Sequence, residues 1–244
     1  MLTVKRFPVL IIAALIAVPA IMGQSNNSEE MSVEESYLQE AMELMIIRET
    51  SRSDSREQKL IALEYIENAI GNGNNSDEIR TTLEFLSMEG TQNRVREKGR
   101  LMNDYPEVRR AAAKHLGTLD TPEAKAVLIR ICTSDAEPMV LQEAVKSLGS
   151  MSSDEGDGAM AAIVWVANKF NNYTAPDNLL ALAAVDSIDK LASKNKGIKD
   201  PGAIQLLIRI AEGPYAPPVK ERAKQAIIDL RKYTAQGQKE QKDR

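Results

Sequence analysis

Residues 106–117 read Pro-Glu-Val-Arg-Arg-Ala-Ala-Ala-Lys-His-Leu-Gly, and residues 138–149 read Pro-Met-Val-Leu-Gln-Glu-Ala-Val-Lys-Ser-Leu-Gly. The second stretch repeats the frame of the first 32 residues later. Each opens on Pro, which is tolerated at the first helical position because its missing N–H has no partner there. Each then sets Val, Ala and Leu at i, i+4 and i+8: Val108, Ala112 and Leu116, then Val140, Ala144 and Leu148. That spacing lays one apolar stripe along one helix face. The small Ala in mid-stripe lets a neighbouring helix come close. Each stretch ends on Gly, the residue that tolerates the left-handed turn after a helix, so Gly117 and Gly149 read as helix stops.

The frame recurs more loosely on both sides. Leu180, Ala184 and Ile188 follow Pro176; Val219, Ala223 and Ile227 follow Pro217 and Pro218. Gln58, Ala62 and Ile66 are a weaker upstream match. Helices of a second kind lie between. Residues 121–131 (TPEAKAVLIRI) and 200–210 (DPGAIQLLIRI) share Pro, Ala, Leu and Ile at equal offsets, with Thr121 and Asp200 as natural N-caps. Residues 159–170 are the same type without the Pro, and 77–88 are a further candidate. No strand alternation of convincing length appears. The chain therefore reads as all-α, alternating two helix types through short turns.

This alternation resembles HEAT repeats, in particular the short class named after phycobilisome lyases. The resemblance rests on P-E-V-R-R-A-A-A-K-H-L-G followed by T-P-E-A-K-A-V-L, over about residues 104–150, and continues more loosely to 233. It implies a right-handed α-solenoid of antiparallel helix pairs, each burying its stripe against its neighbours. The solenoid is expected over residues 37–233, with a divergent N-terminal cap to about 104. The layout also resembles exported bacterial HEAT-repeat proteins.

The first 23 residues stand apart. Lys5 and Arg6 precede an uncharged apolar run from Pro8 to Met22, and Ala20 and Gly23 are small enough for processing. This is the pattern of a secretory signal peptide. The run is short for a membrane anchor, which needs about 20 apolar residues. Membrane contact is expected only through this segment before cleavage. Its removal takes two bases and no acid, moving the formal net charge from −4 to −6. Residues 24–36 are polar and acidic and read as a flexible leader that becomes helical near Val33; 234–244 read as a disordered charged tail. The expected location is exported, periplasmic or secreted.

Composition excludes several chemistries. The chain has one His and one Cys, too few for a four-ligand Cys/His zinc site or an internal disulfide. Some proteins of the resembled class are di-iron hydroxylases, which need several His-Glu pairs, whereas His115 is alone and followed by Leu116. There is no phosphate loop and no nucleophile elbow. His115, at the flank of its stripe, reads as a packing histidine rather than a base, since no nucleophile accompanies it. Cys132 reads as a small buried thiol. Asp154-Glu155-Gly156-Asp157 lacks the ligand spacing of a calcium loop, and Asp157 reads as an N-cap. Three Asn-X-Ser/Thr sequons, at Asn26, Asn74 and Asn172, fall in expected loops.

Two features point to a partner. Arg94, Arg96, Lys98, Arg100, Arg109, Arg110 and Lys114 face only Glu97, Asp104 and Glu107 between residues 94 and 114. That excess suits an acidic docking partner, the plain alternative being a solvated face. The second is Trp165, which lies off the stripe of Ala159, Ala162, Ile163, Val166, Ala167 and Phe170. Trp is enriched at interface hot spots, and it can equally pack on an adjacent helix pair. Nucleic acid is an unsuitable partner for an acidic chain without interleaved aromatics. The expectation is a non-enzymatic scaffold without cofactor or metal, binding another protein such as an envelope assembly. The alternative is a bilin-lyase-like enzyme or ligand-binding module on the same repeats.

Overall fold

In the structure, a computed structural model, residues 33–152, 158–170 and 176–242 are described. Ten helices occur among them: α1 (Val33–Arg52), α2 (Arg56–Gly71), α3 (Asp77–Ser87), α4 (Pro106–Leu119), α5 (Pro122–Ser134), α6 (Pro138–Ser150), α7 (Gly158–Phe170), α8 (Asn178–Lys194), α9 (Pro201–Glu212) and α10 (Pro217–Lys242). Each odd-numbered helix pairs with the even-numbered one that follows, and each pair stacks on the next. The result is an all-α, HEAT-like solenoid of two layers.

The helix ends follow from the residues at them. Pro106, Pro122, Pro138 and Pro201 open their helices. Thr121 Oγ1 accepts from Ala124 N at 3.2 Å, and Asp200 Oδ1 from Gly202 N at 2.7 Å. These bonds satisfy N–H groups left over in the first turn. α8 starts after Pro176, with the Asp177 carboxylate accepting from Leu179 N and Leu180 N.

The stripes form the core. Val108, Ala112, Leu116, Val140, Ala144, Leu148, Leu180, Ala184 and Ile188 are all buried, as are Val219 and Ala223, while Ile227 is half-buried. Neighbours lie closer in the even-numbered layer than in the odd-numbered one. A stack whose layers differ in spacing bends toward the tighter one, so the even-numbered helices line its inner side.

Gly117 and Gly149 do not stop their helices. α4 continues to Leu119, and the left-handed residue after it is Asp120 (φ 50°, ψ 40°); α6 ends at Ser150, before an extended Met151. The glycines are contact points instead. A Cβ on Gly117 would stand 2.6 Å from Ser147 Cβ, and one on Gly149 would stand 2.4 Å from Ser187 Cβ. Ser147 Oγ donates to the Ala113 carbonyl at 3.0 Å and Ser187 Oγ to the Val145 carbonyl at 2.9 Å. Lacking side chains, the glycines let the serines reach the backbone one turn earlier.

Two further differences concern one connection and the C-terminal end. A two-stranded antiparallel hairpin, β1 (Arg96–Glu97) and β2 (Arg100–Leu101), interrupts the helices between α3 and α4. α1 begins at Val33, the point at which the polar leader is read as becoming helical. α10 runs to Lys242, through the segment expected to be a disordered tail. That segment is rich in Gln, Lys and Glu, which are good helix formers, and contains no Pro. The expected signal peptide, the acidic turn at 154–157 and the sequons at Asn26 and Asn172 lie outside the described residues.

Candidate protein-interaction surface

The basic run of the sequence divides into three parts, and only the first is a projecting surface. Arg94, Arg96, Lys98 and Arg100 sit on the hairpin, where all four are exposed. Lys98 (φ 47°) and Gly99 (φ 82°) form its tip. Positive φ at both turn residues is what a two-residue hairpin needs to match strand twist. Arg96 faces Leu101, Glu97 faces Arg100, and Met102 N donates to the Val95 carbonyl at 2.9 Å. Side chains alternate along a strand, so Val95, Glu97, Arg100 and Met102 share one face. Val95 is 51% exposed and Met102 47%. An apolar pair thus lies open to solvent beside Arg100 and Glu97, with Lys98 at the tip and Arg94 and Arg96 on the opposite face.

The base of the hairpin is held by buried polar groups. Asn103 Oδ1 accepts from Val95 N at 2.8 Å, and its Nδ2 donates to Glu89 Oε1 and to the Asn93 carbonyl, both at 2.6 Å. Glu89 Oε2 accepts from Lys59 Nζ at 3.1 Å, and Lys59 also donates to the Ser51 carbonyl. Gly90 (φ 72°) is required here, since a Cβ would fall 2.5 Å from the Asn103 carbonyl oxygen. Buried polar groups so satisfied fix a unique arrangement, and the tip is therefore displayed from a rigid root.

Arg109 belongs to that root, not to the surface, which corrects its reading as a partner-binding residue. It is 1% exposed. Its Nε donates to Asp135 Oδ2 at 2.7 Å, and its Nη1 to Asp104 Oδ1 at 2.7 Å and to the Glu89 carbonyl at 3.1 Å. Burial opposes the charge, but hydrogen bonds to Asp135 and Asp104 outweigh it and hold the guanidinium pKa above its ordinary value. Asp135 also accepts from Ala136 N and Glu137 N just ahead of α6. Arg109 thereby ties the hairpin root to the α5–α6 turn.

Arg110 and Lys114 lie on the exposed face of α4, each with an acid from a neighbouring helix: Arg110 with Glu143 at 3.4 Å, and Lys114 with Glu67 at 2.9 Å. These exposed pairs add little stability, but they offset most of the local positive charge.

Trp165 is 41% exposed on α7. Lys169, one turn on, places Nζ 4.4 Å from the Trp165 ring centre and 4.9 Å from that of Phe170. The stripe residues named with it are buried, Phe170 partly. Its helix lies two pairs beyond the hairpin, so the solenoid does not gather Trp165 and the arginines into one patch.

The two residues set aside as structural are buried. Burial pushes the His115 pKa below its ordinary value, with Glu67 opposing and Lys114 adding to the shift. Burial pushes the Cys132 thiol up to about 12, which removes its nucleophilic form at neutral pH. Arg130 bonds to Glu84 rather than reaching that thiol. Among the described residues, no group of three His, Cys, Asp or Glu is arranged to hold a metal ion.

What sequence reasoning missed is the hairpin. Its signal was Glu97-Lys98-Gly99-Arg100, a turn dipeptide between short flanks, obscured by the charges.

A family model described as HEAT repeats matches residues 100–165, about a quarter of the chain. The match starts in the hairpin and runs through α4, α5 and α6 into α7. No curated protein matches the sequence.

Proposed function

We infer that this protein is a non-enzymatic scaffold of the cell envelope that binds another protein through the surface of its solenoid. The observation that carries the reading is the hairpin at 94–102. It presents four cations and an exposed Val95–Met102 pair from a root locked by Asn103, Glu89 and Arg109. A rigid, mixed basic and apolar projection suits an acidic protein surface: charge steers the encounter and the apolar pair supplies desolvated contact. HEAT-like solenoids commonly act as protein-interaction scaffolds. Trp165 is proposed as a second, separate anchor.

The envelope assignment rests on residues 1–23 as a signal peptide, and is tested by fractionation and N-terminal sequencing of the native protein. A mature N-terminus after Ala20 or Gly23 supports it; a cytoplasmic chain beginning at Met1 overturns it.

The scaffold reading is tested by affinity capture from native envelope extract with the wild-type chain and with an Arg96→Glu, Arg100→Glu variant. Both residues are exposed and outside the core, and circular dichroism checks that the variant keeps its fold. Loss of a specific captured protein with the variant supports the hairpin. The alternative ligand-binding reading predicts a retained chromophore, visible as absorbance in protein purified from its source.

A further inference from the structure

Met102 puts the one sulfur atom on the hairpin face that carries Val95, Glu97 and Arg100. It is 47% exposed. The backbone on both sides of it is fixed. Met102 N donates to the Val95 carbonyl at 2.9 Å, and the next residue, Asn103, is buried and bonded to Glu89 and Asn93. Leu101, before it, is half-buried. Alternation along the strand therefore holds the Met102 thioether outward.

The methionines of the described residues fall into two groups. Met88, Met151 and Met160 are buried in the core, while Met42, Met45, Met102 and Met139 are exposed. Met42 and Met45 belong to α1 and Met139 to the first turn of α6, so only Met102 lies on the hairpin.

A hydroperoxide oxidises an accessible thioether. The sulfur lone pair takes one peroxide oxygen: an S–O bond forms, the O–O bond breaks, and with hydrogen peroxide the other oxygen leaves as water with both protons. Sulfur loses two electrons and the peroxide gains them. The sulfoxide turns a flexible apolar side chain into a polar, chiral one.

We propose that Met102 is a redox-modification site, at which oxidation by a hydroperoxide switches off docking through the hairpin while leaving the solenoid folded. The proposal rests on the hairpin being the binding surface. In the free chain the sulfoxide oxygen stays in water and costs nothing. In the contact it is an acceptor buried where the partner met an apolar thioether, and an unmatched buried acceptor is costly. The fold is spared because the core methionines are shielded and the exposed ones lie outside the core. Sulfoxide reductases make the change reversible.

The test treats the full-length chain, purified in the form its host leaves, with dilute hydrogen peroxide. Peptide mass spectrometry maps the sulfoxides, circular dichroism checks the helices, and capture from native envelope extract is repeated. Met102 is expected to convert together with Met42, Met45 and Met139, with Met88, Met151 and Met160 still reduced and the helix signal unchanged. Capture of the protein taken by the untreated chain is expected to fall at least about tenfold, and a pair of sulfoxide reductases, one for each epimer, to restore it. Met102→Leu is expected to capture equally before and after peroxide. A Met42→Leu, Met45→Leu, Met139→Leu chain keeps Met102 as the one exposed methionine among the described residues. It is expected to lose capture on oxidation as wild type does, which decides the matter even where leucine at 102 weakens the contact. Met102 left reduced after Met45 has fully converted overturns the proposal, as does capture unchanged by Met102 sulfoxide. An untreated chain that captures nothing fails the hairpin reading itself, before any peroxide is added, and the proposal falls with it.

Discussion

Gly117 of α4 and Ser147 of α6 are in such close contact that a Cβ on the glycine would overlap the serine side chain at 2.6 Å. The serine uses that space to donate to the Ala113 carbonyl. Gly149 and Ser187 repeat the arrangement between α6 and α8. Small residues thus set the spacing of the inner layer, which positions everything the solenoid displays.

Gly149→Ala is therefore expected to destabilise the protein. Alanine would gain roughly 1 kcal/mol of helix propensity, but its Cβ would meet Ser187 Cα at 2.6 Å as well as its side chain. Overpacking of this kind costs about 1–3 kcal/mol, so the net effect is a loss. Urea denaturation measures it, and Ser187→Gly in the same chain should recover part of it. A stabilised Gly149→Ala protein would show that the contact is not tight.

Arg109→Ala is expected to cost about 3–5 kcal/mol, because it leaves Asp135 buried without its partner. Arg109→Lys should rescue little, since an ammonium cannot reproduce contacts to Asp135, Asp104 and the Glu89 carbonyl together. Chemical denaturation gives the cost, and amide exchange at 94–103 shows whether the hairpin loosens.

His115 sets a pH dependence. Its pKa is depressed in the folded chain, chiefly by burial, so the unfolded chain takes up a proton that the folded chain resists. Stability is thus intact at neutral pH and falls as pH drops through the ordinary histidine value of about 6.5. Glu67 is also depressed, through its bond to Lys114; that contribution is lost in a separate window below the ordinary glutamate value of about 4.3. Thermal denaturation between pH 7.5 and 5 should show a slope that His115→Gln flattens.

Cys132 should resist alkylation in the native protein. A buried thiol with a pKa pushed up to about 12 presents almost no thiolate at pH 8. Maleimide labelling is expected to be slow until denaturant is added; rapid native labelling would mean that the α5 region opens locally.

These results show what the sequence made legible. The stripes of α4, α6, α8 and α10 could be read because a helix repeats its buried positions every three to four residues, and one element suffices to reveal them. Arg109 was misread for the same reason. It adjoins the stripe in a basic run, and only Asp104, Asp135 and Glu89, brought from other elements, show that it is buried. Gly117 and Gly149 were misread because a glycine near a helix end serves equally as a stop or as a close contact, and the decisive serines lie 30 and 38 residues away. The hairpin escaped because its strands are two residues long, too short for alternation to register. Trp165 was legible as off-stripe, but its exposure was not, since Met160 and Val164 lie off the same stripe and are buried against other helices.

The most direct test of the account places a photo-crosslinking amino acid at Met102 on the hairpin, with a control at Lys190 on the inner face of α8, in the native cell. The account predicts one specific protein adduct from position 102, none of equal yield from position 190, and loss of the adduct when Arg96 and Arg100 are both changed to Glu. No adduct at 102, or an adduct unaffected by those two charge reversals, would contradict the hairpin as the binding surface.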